Sequence, residues 1–141
     1  MSGYTSILVA VDVFNDVNAV IDRALRVCSQ DTKIHVAYVV QPQHSIAPYG
    51  GYLERDFSEE VRVQAEKKLI QIAQSLPAKN TTIHTAVGSV ADELHCLAKA
   101  CSADLVILGA HSSSGVFRLL GSVANAVIQR SEIDVLTVKM H

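Results

Sequence analysis

Two short, strongly apolar runs constrain the fold of this chain more than any other feature. Residues 7–11 are Ile-Leu-Val-Ala-Val and residues 105–110 are Leu-Val-Ile-Leu-Gly-Ala. Runs of this length without polar alternation are typical of strands buried on both faces, as in a parallel sheet covered by helices. The composition agrees, because Val, Ala, Leu and Ile number 19, 16, 12 and 10, whereas Trp is absent. An aliphatic core of this kind predicts an α/β protein.

Strand-like and helical segments alternate along the chain. The strand-like segments are residues 6–12, 33–40, 81–87, 104–109 and 134–139. Segments of helical periodicity follow the first four of these, starting near residues 16, 57, 89 and 121. Ser89 and Asp92 have the spacing of a capping box at the start of the third helix. The βαβαβαβαβ order predicts one domain over residues 1–141, a single doubly wound five-stranded parallel sheet with helices on both faces.

Composition and charge exclude several classes of partner. The 141 residues carry a net charge of −2, which leaves no basic footprint for nucleic acid. No apolar run approaches the roughly 20 residues of a membrane span, and the first residues lack the pattern of a signal peptide. The three cysteines are odd in number and form no CxxC motif, which favours reduced thiols in a cytoplasmic protein. We therefore expect a cytoplasmic protein that binds neither nucleic acid nor membranes.

Two strand ends carry residues that suit a ligand. In sheets of this kind ligands bind beyond the carboxyl ends of the strands, where the winding reverses. Asp12 ends the first strand, and its carboxylate could hold a ribose, cap the first helix or accept bonds from nearby backbone amides. Gly109 ends the fourth strand, and the next helix opens with Gly121-Ser122, which suits a phosphate but is also an ordinary helix start. The chain has neither a Walker A motif nor a GxGxxG after the first strand.

The segment Gly109-Ala-His-Ser-Ser-Ser-Gly-Val-Phe-Arg-Leu-Leu-Gly-Ser-Val-Ala124 resembles the phosphate loop of the universal stress protein family, G-x2-G-x9-G-[S/T]. The opening Ile7-Leu-Val-Ala-Val-Asp12, the Gly88-Ser89 turn and the closing Asp134-Val-Leu-Thr-Val138 match that family in the same order. The resemblance covers nearly the whole chain and implies the strand order 3-2-1-4-5. That order makes the strands ending at Asp12 and Gly109 neighbours at the switch point.

The resemblance also implies roles for individual residues in binding ATP, with or without Mg²⁺. Ala10 and Val39 would lie beside the adenine, and Asp12 would hold the ribose. The phosphates would be held by a set of loop and helix residues: Gly109, His111, Ser112, Gly121, Ser122 and Val123. His111 is equally well explained as a solvated loop residue.

The loops around this predicted site contain further candidates and two departures from the family pattern. Tyr49 and Tyr52 could cover the base, and Arg118 could pair with a terminal phosphate or form a surface salt bridge. Ser112 stands where the motif has its second glycine, and the second gap is one residue shorter than in the family. A serine forced to a positive φ would cost on the order of 1 kcal/mol. The loops 41–53 and 110–120 are expected to order over the ligand.

The resemblance implies an ATP-binding homodimeric regulator of the stress response, which is not a metabolic enzyme and dimerises through residues 133–139. The alternatives are an interaction module of the same fold that binds no nucleotide, and a slow ATPase or self-phosphorylating protein. We expect no catalytic group and no metal, since the histidines, His35 and His84 included, have no metal-ligand spacing. Cys28 and Cys101 are interpreted as small core residues.

Overall fold

The computed structural model describes residues 3–42, 58–111 and 121–140. Along the chain the strands and α-helices are β1 Ser6–Ala10, α1 Asn18–Val27, β2 Lys33–Val40, α2 Ser58–Ala73, β3 Thr81–Val87, α3 Val90–Ala100, β4 Leu105–His111, α4 Ser122–Arg130 and β5 Asp134–Met140. A 3-10 turn, Ala78–Asn80, precedes β3. None of the helices in these ranges has the length and hydropathy that a membrane span requires.

The five strands form one parallel sheet in the order β3-β2-β1-β4-β5, as predicted. The strand β1 lies at the centre, where Ile7 is paired with Ile34 of β2 and with Leu105 of β4. The chain winds outward from β1 in one direction to β3 and in the other to β5. The switch point therefore lies between β1 and β4.

Helices cover both faces of the sheet, which explains the continuous apolar strands. One face packs against α1 and α2, whose buried residues include Val20, Ile21, Ala24, Ala65 and Leu69. The other packs against α3 and α4, whose buried residues include Leu94, Ala98, Ala124 and Val127. Ile7 and Leu8 are fully buried on opposite sides of β1, because successive side chains of a strand point to opposite faces.

Several element boundaries differ from those expected. The strand β1 ends at Ala10, two residues before Asp12, and β4 continues as far as His111. The predicted capping box is wrong: Ser89 is the N-cap of α3, but its side chain makes no cap hydrogen bond. The turn before it depends instead on Gly88, whose φ of +154° favours glycine and whose added Cβ would lie 2.7 Å from Glu93 Oε1.

Candidate functional site

A cleft of about 360 Å³ opens at the carboxyl ends of the strands. It is lined by the ends of β1, β2 and β4 and by residues near the starts of all four helices. Its volume lies within the roughly 300–1,000 Å³ typical of small-molecule sites. The cleft therefore has both the position and the size expected of a ligand site in a doubly wound sheet.

The structure brings five of the nine predicted site residues together in this cleft. They are Ala10, Asp12, Val39, Gly109 and Val123. Gly121 and Ser122 directly precede Val123, where α4 begins. His111 is the last residue of β4, two positions beyond Gly109. The predicted residues Ser112, Tyr49, Tyr52 and Arg118 lie outside the described residues.

Asp12 is exposed at the mouth of the cleft and is already hydrogen-bonded locally. Its Oδ1 accepts a bond from the Phe14 amide at 3.2 Å, and its Oδ2 accepts one from Asn15 Nδ2 at 2.6 Å. Asp12 therefore binds a local backbone amide, as one interpretation expected, but it does not cap α1, whose N-cap is Val17. A carboxylate has about four acceptor positions, so these two bonds leave room for a ribose hydroxyl.

The first turn of α4 faces the same edge of the sheet. Gly121 is the N-cap, and its carbonyl accepts the first intrahelical bond from the Asn125 amide at 3.0 Å. Ser122 is thus the first residue inside the helix and not its cap. Gly121 supplies no side-chain acceptor, so the amides of the first turn depend on partners outside the helix. Such amides and the positive end of the helix dipole favour an anion.

Gly109 has a packing role that the sequence did not indicate. A Cβ at this position would lie 3.0 Å from Met140 Cγ and 3.4 Å from Val20 Cγ2. The absence of a side chain therefore lets α1 and the end of β5 approach β4 closely. It also leaves the floor of the cleft open at the point where β1 and β4 diverge.

The cleft has an apolar side and a polar rim. Ala10, Ala37, Val39 and Leu108 belong to or pack against the apolar cluster beneath α3 and α4, and they line the cleft. The polar residues are Asp12, Asn15, Asp16, Gln41 and Ser58. Aliphatic walls suit a flat base, whereas the rim offers acceptors and donors for a sugar. Of the polar residues only Asp12 was predicted. Asn15 and Asp16 are in the same loop before α1, Gln41 follows β2 and Ser58 begins α2.

An aromatic pair that includes Tyr38, a lining residue of the cleft, was also missed. The ring of Phe14 meets that of Tyr38 edge to face, with centroids 5.5 Å apart and an interplanar angle of 82°. Lys68 Nζ lies 5.9 Å from the Phe14 ring centroid. Burial, and then the negative charge of Asp12, raise the pKa of Tyr38, which keeps its hydroxyl protonated. Tyr38 can therefore act only as a neutral donor or acceptor at the cleft.

A second polar group lies towards the other end of the sheet, below α3. His35 of β2, His84 of β3 and Cys101 after α3 each present a ligand atom, and the three atoms lie within 4.8 Å of one another. Burial lowers the pKa of His84, and burial with the nearby His84 lowers that of His35. No local spacing could have revealed this cluster, because 49 residues separate the histidines.

Comparison with known proteins assigns the chain to a family. Residues 3–139 match the model described as the universal stress protein family. A curated relative is universal stress protein A homolog 1 of Coxiella burnetii, 32% identical over 142 residues, with 97% of each chain covered.

Solved structures agree with this match. A universal stress protein crystallised in complex with cAMP is 30% identical, with a TM-score of 0.66 over 99% of this chain and 100% of that one. A universal stress protein from Archaeoglobus fulgidus in complex with dAMP has a TM-score of 0.63 at 19% identity, covering 96% of this chain and 98% of that chain. The second likeness shows the fold alone.

Proposed function

The chain belongs to the universal stress protein family, and we propose that it binds ATP in the cleft at the carboxyl ends of β1 and β4. The observation that carries the proposal is the meeting of Ala10, Asp12, Val39 and Gly109 in one cleft, with the first turn of α4 beside it. These residues lie in or directly after three different strands, and their meeting at the switch point supports a single ligand.

The division of the cleft supports a nucleotide in particular. Adenine would rest on the aliphatic wall formed by Ala10 and Val39, because the described cleft offers a base little aromatic surface besides Tyr38. Asp12 would accept a bond from a ribose hydroxyl through an oxygen lone pair that Phe14 and Asn15 do not use. The phosphates would lie against the amides of the first turn of α4, with Mg²⁺ offsetting their remaining charge.

Known complexes of relatives support the same class of ligand. The relative bound to cAMP is 30% identical over nearly the whole chain, and a protein of the same fold was crystallised with dAMP. Both ligands contain adenine and a phosphate. ATP for this chain is our proposal, based on the resemblance of residues 109–124 to the family's phosphate loop.

We propose further that the protein is a homodimeric, nucleotide-responsive regulator of the stress response and not a metabolic enzyme. The strand β5 is at the edge of the sheet, and residues 133–139 would pair with the same segment of a second copy. An apolar edge strand favours such pairing because its outer amides and carbonyls otherwise depend on water. Nucleotide binding beside β4 and α4, the neighbours of β5, would then be coupled to the dimer interface.

Isothermal titration with ATP and Mg²⁺ tests the binding proposal. We expect one ATP per chain, and we expect Gly121→Asp to weaken binding at least about tenfold, which corresponds to about 1.4 kcal/mol. The reason is that the new carboxylate would repel the phosphates at the helix start. Gln129→Glu adds a charge in the last turn of the same helix and should leave the affinity unchanged.

Two outcomes of this titration would contradict the proposal. Wild-type protein that binds no adenine nucleotide would favour the interaction module without a nucleotide. An unchanged affinity of Gly121→Asp for ATP would show that the start of α4 does not contact the phosphates. Analysis of the nucleotide after long incubation addresses the remaining alternative, because a regulator should return ATP intact, whereas a slow ATPase or self-phosphorylating protein would release ADP.

A further inference from the structure

The cluster of His35, His84 and Cys101 is built from three separate elements. His35 Nδ1 lies 2.9 Å from His84 Nε2, and Cys101 Sγ lies 3.8 Å from the same nitrogen. The two imidazole rings are tilted by 35° with centroids 5.1 Å apart, so their nitrogens converge and the rings do not stack. All three residues are partly buried, which leaves the cluster shielded but reachable from solvent.

The backbone positions of the three residues are fixed independently of one another. His84 is paired with Ala37 across β2 and β3, and His35 is paired with Thr82, so the histidines are diagonal neighbours on one face. The amide of Cys101 donates to Leu97 O at 2.9 Å, and its carbonyl accepts from Ser6 Oγ at 3.0 Å. Donors on rigid elements lose little freedom when a metal binds.

The distances fit a tetrahedral metal centre. With Zn–N near 2.05 Å and Zn–S near 2.3 Å, tetrahedral ligands lie about 3.3 Å apart for two nitrogens and about 3.6 Å apart for nitrogen and sulfur. The distances of 2.9 and 3.8 Å each differ from these values by a few tenths of an ångström. The third pair of donors, from His35 and Cys101, lies within 4.8 Å, so rotations of the side chains would be needed to place all three donors around one ion.

We propose that His35 Nδ1, His84 Nε2 and Cys101 Sγ form a zinc site that joins the end of α3 to β2 and β3. Three protein ligands leave the fourth tetrahedral position to water or another exogenous ligand. Imidazole and thiolate donors favour Zn²⁺ over Mg²⁺ or Ca²⁺, and the cluster contains no carboxylate. On binding, the Cys101 thiol releases its proton to solvent and the thiolate sulfur bonds to the ion.

The test uses the full chain, freed of any affinity tag and of bound metal, titrated with Zn²⁺ and separately with Co²⁺. Co²⁺ adopts the same tetrahedral set and reports a thiolate ligand through a sulfur-to-metal charge-transfer absorption. His84→Gln and Cys101→Ser each remove one donor. His95→Gln and Cys96→Ser are matched controls, because both residues are on α3 outside the cluster and Cys96 is exposed.

We expect one tightly bound Zn²⁺ per wild-type chain, a Co²⁺–thiolate band, and an affinity at least tenfold lower in both cluster variants but unchanged in both controls. Zn²⁺ should also raise the Tm of the wild type and not that of Cys101→Ser. A Co²⁺ complex of the wild type without the thiolate band would overturn the proposal without requiring any variant to fold. Equal Zn²⁺ affinity of the wild type and Cys101→Ser would also overturn it. The histidines would then be a hydrogen-bonded pair, and the bound zinc would be adventitious only.

Discussion

Asp104 connects the start of β4 to the start of β1. Its Oδ1 accepts a bond from the Ser6 amide at 3.0 Å, and its Oδ2 accepts bonds from the amide of Thr5 at 2.9 Å and from Thr5 Oγ1 at 3.2 Å. In return, the amide of Asp104 donates to Ser6 O at 2.8 Å. One side chain therefore fixes the relative position of the two strands that form the floor of the cleft.

The carboxylate of Asp104 should make stability depend on pH. Burial tends to raise its pKa, but the bonds from Thr5 and Ser6 outweigh burial and lower it. A lowered folded-state pKa stabilises the protein fully above the unfolded pKa of about 3.9, and this contribution is lost as the pH falls through the folded value. Asp104→Asn should therefore reduce the free energy of unfolding by about 1–2 kcal/mol at pH 7 and by much less at pH 2–3.

Urea unfolding of both proteins across this pH range checks the expectation. Asp31→Asn, which changes an exposed carboxylate in the turn before β2, is the control and should have little effect at any pH. A destabilisation by Asp104→Asn that stays constant from pH 7 to pH 2 would contradict this expectation. It would show that the packing of the Asp104 side chain, and not its negative charge, holds the two strands together.

Among the helices and strands, α3 ends with a serine at a backbone position that glycine usually occupies. Ser102 has a φ of +51° directly after the C-cap residue Cys101. Its amide donates to Lys99 O at 3.1 Å, and the Ala103 amide donates to Ala98 O at 2.9 Å, which together form a Schellman motif. Glycine is the usual residue at this position because it has no Cβ.

Ser102→Gly should therefore stabilise the protein by about 0.5–1 kcal/mol, the left-handed strain relieved less the extra freedom of glycine in the unfolded chain. Thermal or urea unfolding measures the change. Ser102→Ala is the matched control, since alanine keeps the Cβ and should give no gain. Equal effects of the two substitutions would contradict the assignment of strain to φ.

The elements themselves were largely predictable, and their ends were not. The hydrophobic pattern and the length of the segments were sufficient to predict β2 and β3, whose bounds agree with the expected segments. The expected capping box at Ser89 failed, because the turn there is governed by the backbone of Gly88. Such boundaries depend on a dihedral angle or on a neighbouring side chain, neither of which is visible in a hydrophobic pattern.

At the scale of the whole molecule, the edge strand β5 makes a prediction about assembly. Light scattering at micromolar concentration should give twice the chain mass of 15.2 kDa. The physical reason is that two copies can satisfy the outer backbone groups of residues 133–139 reciprocally about a twofold axis. A mass of one chain at that concentration would contradict pairing through β5.

The candidate site was predictable to the extent that topology determines it. Asp12 and Gly109 were identified from their places after apolar strands, and the parallel order brings such ends together. The role of Tyr38 was missed because it arises from packing against Phe14, which is far away in sequence. The role of Asn15 was missed because its bond to Asp12, three residues earlier, depends on the conformation of the loop after β1. The same reason hid the cluster of His35, His84 and Cys101, which only the pairing of β2 with β3 assembles.

The proposed nucleotide would occupy the cleft between β1, β4 and the start of α4. The most direct measurement is an amide-resolved NMR titration of the protein with ATP and Mg²⁺. We expect saturable shifts of the amides of Asp12, Gly109 and Val123, with those of His84 and Ser102 unchanged as internal controls. Saturable shifts confined to residues outside the cleft, or no shift at millimolar ATP, would contradict this proposal.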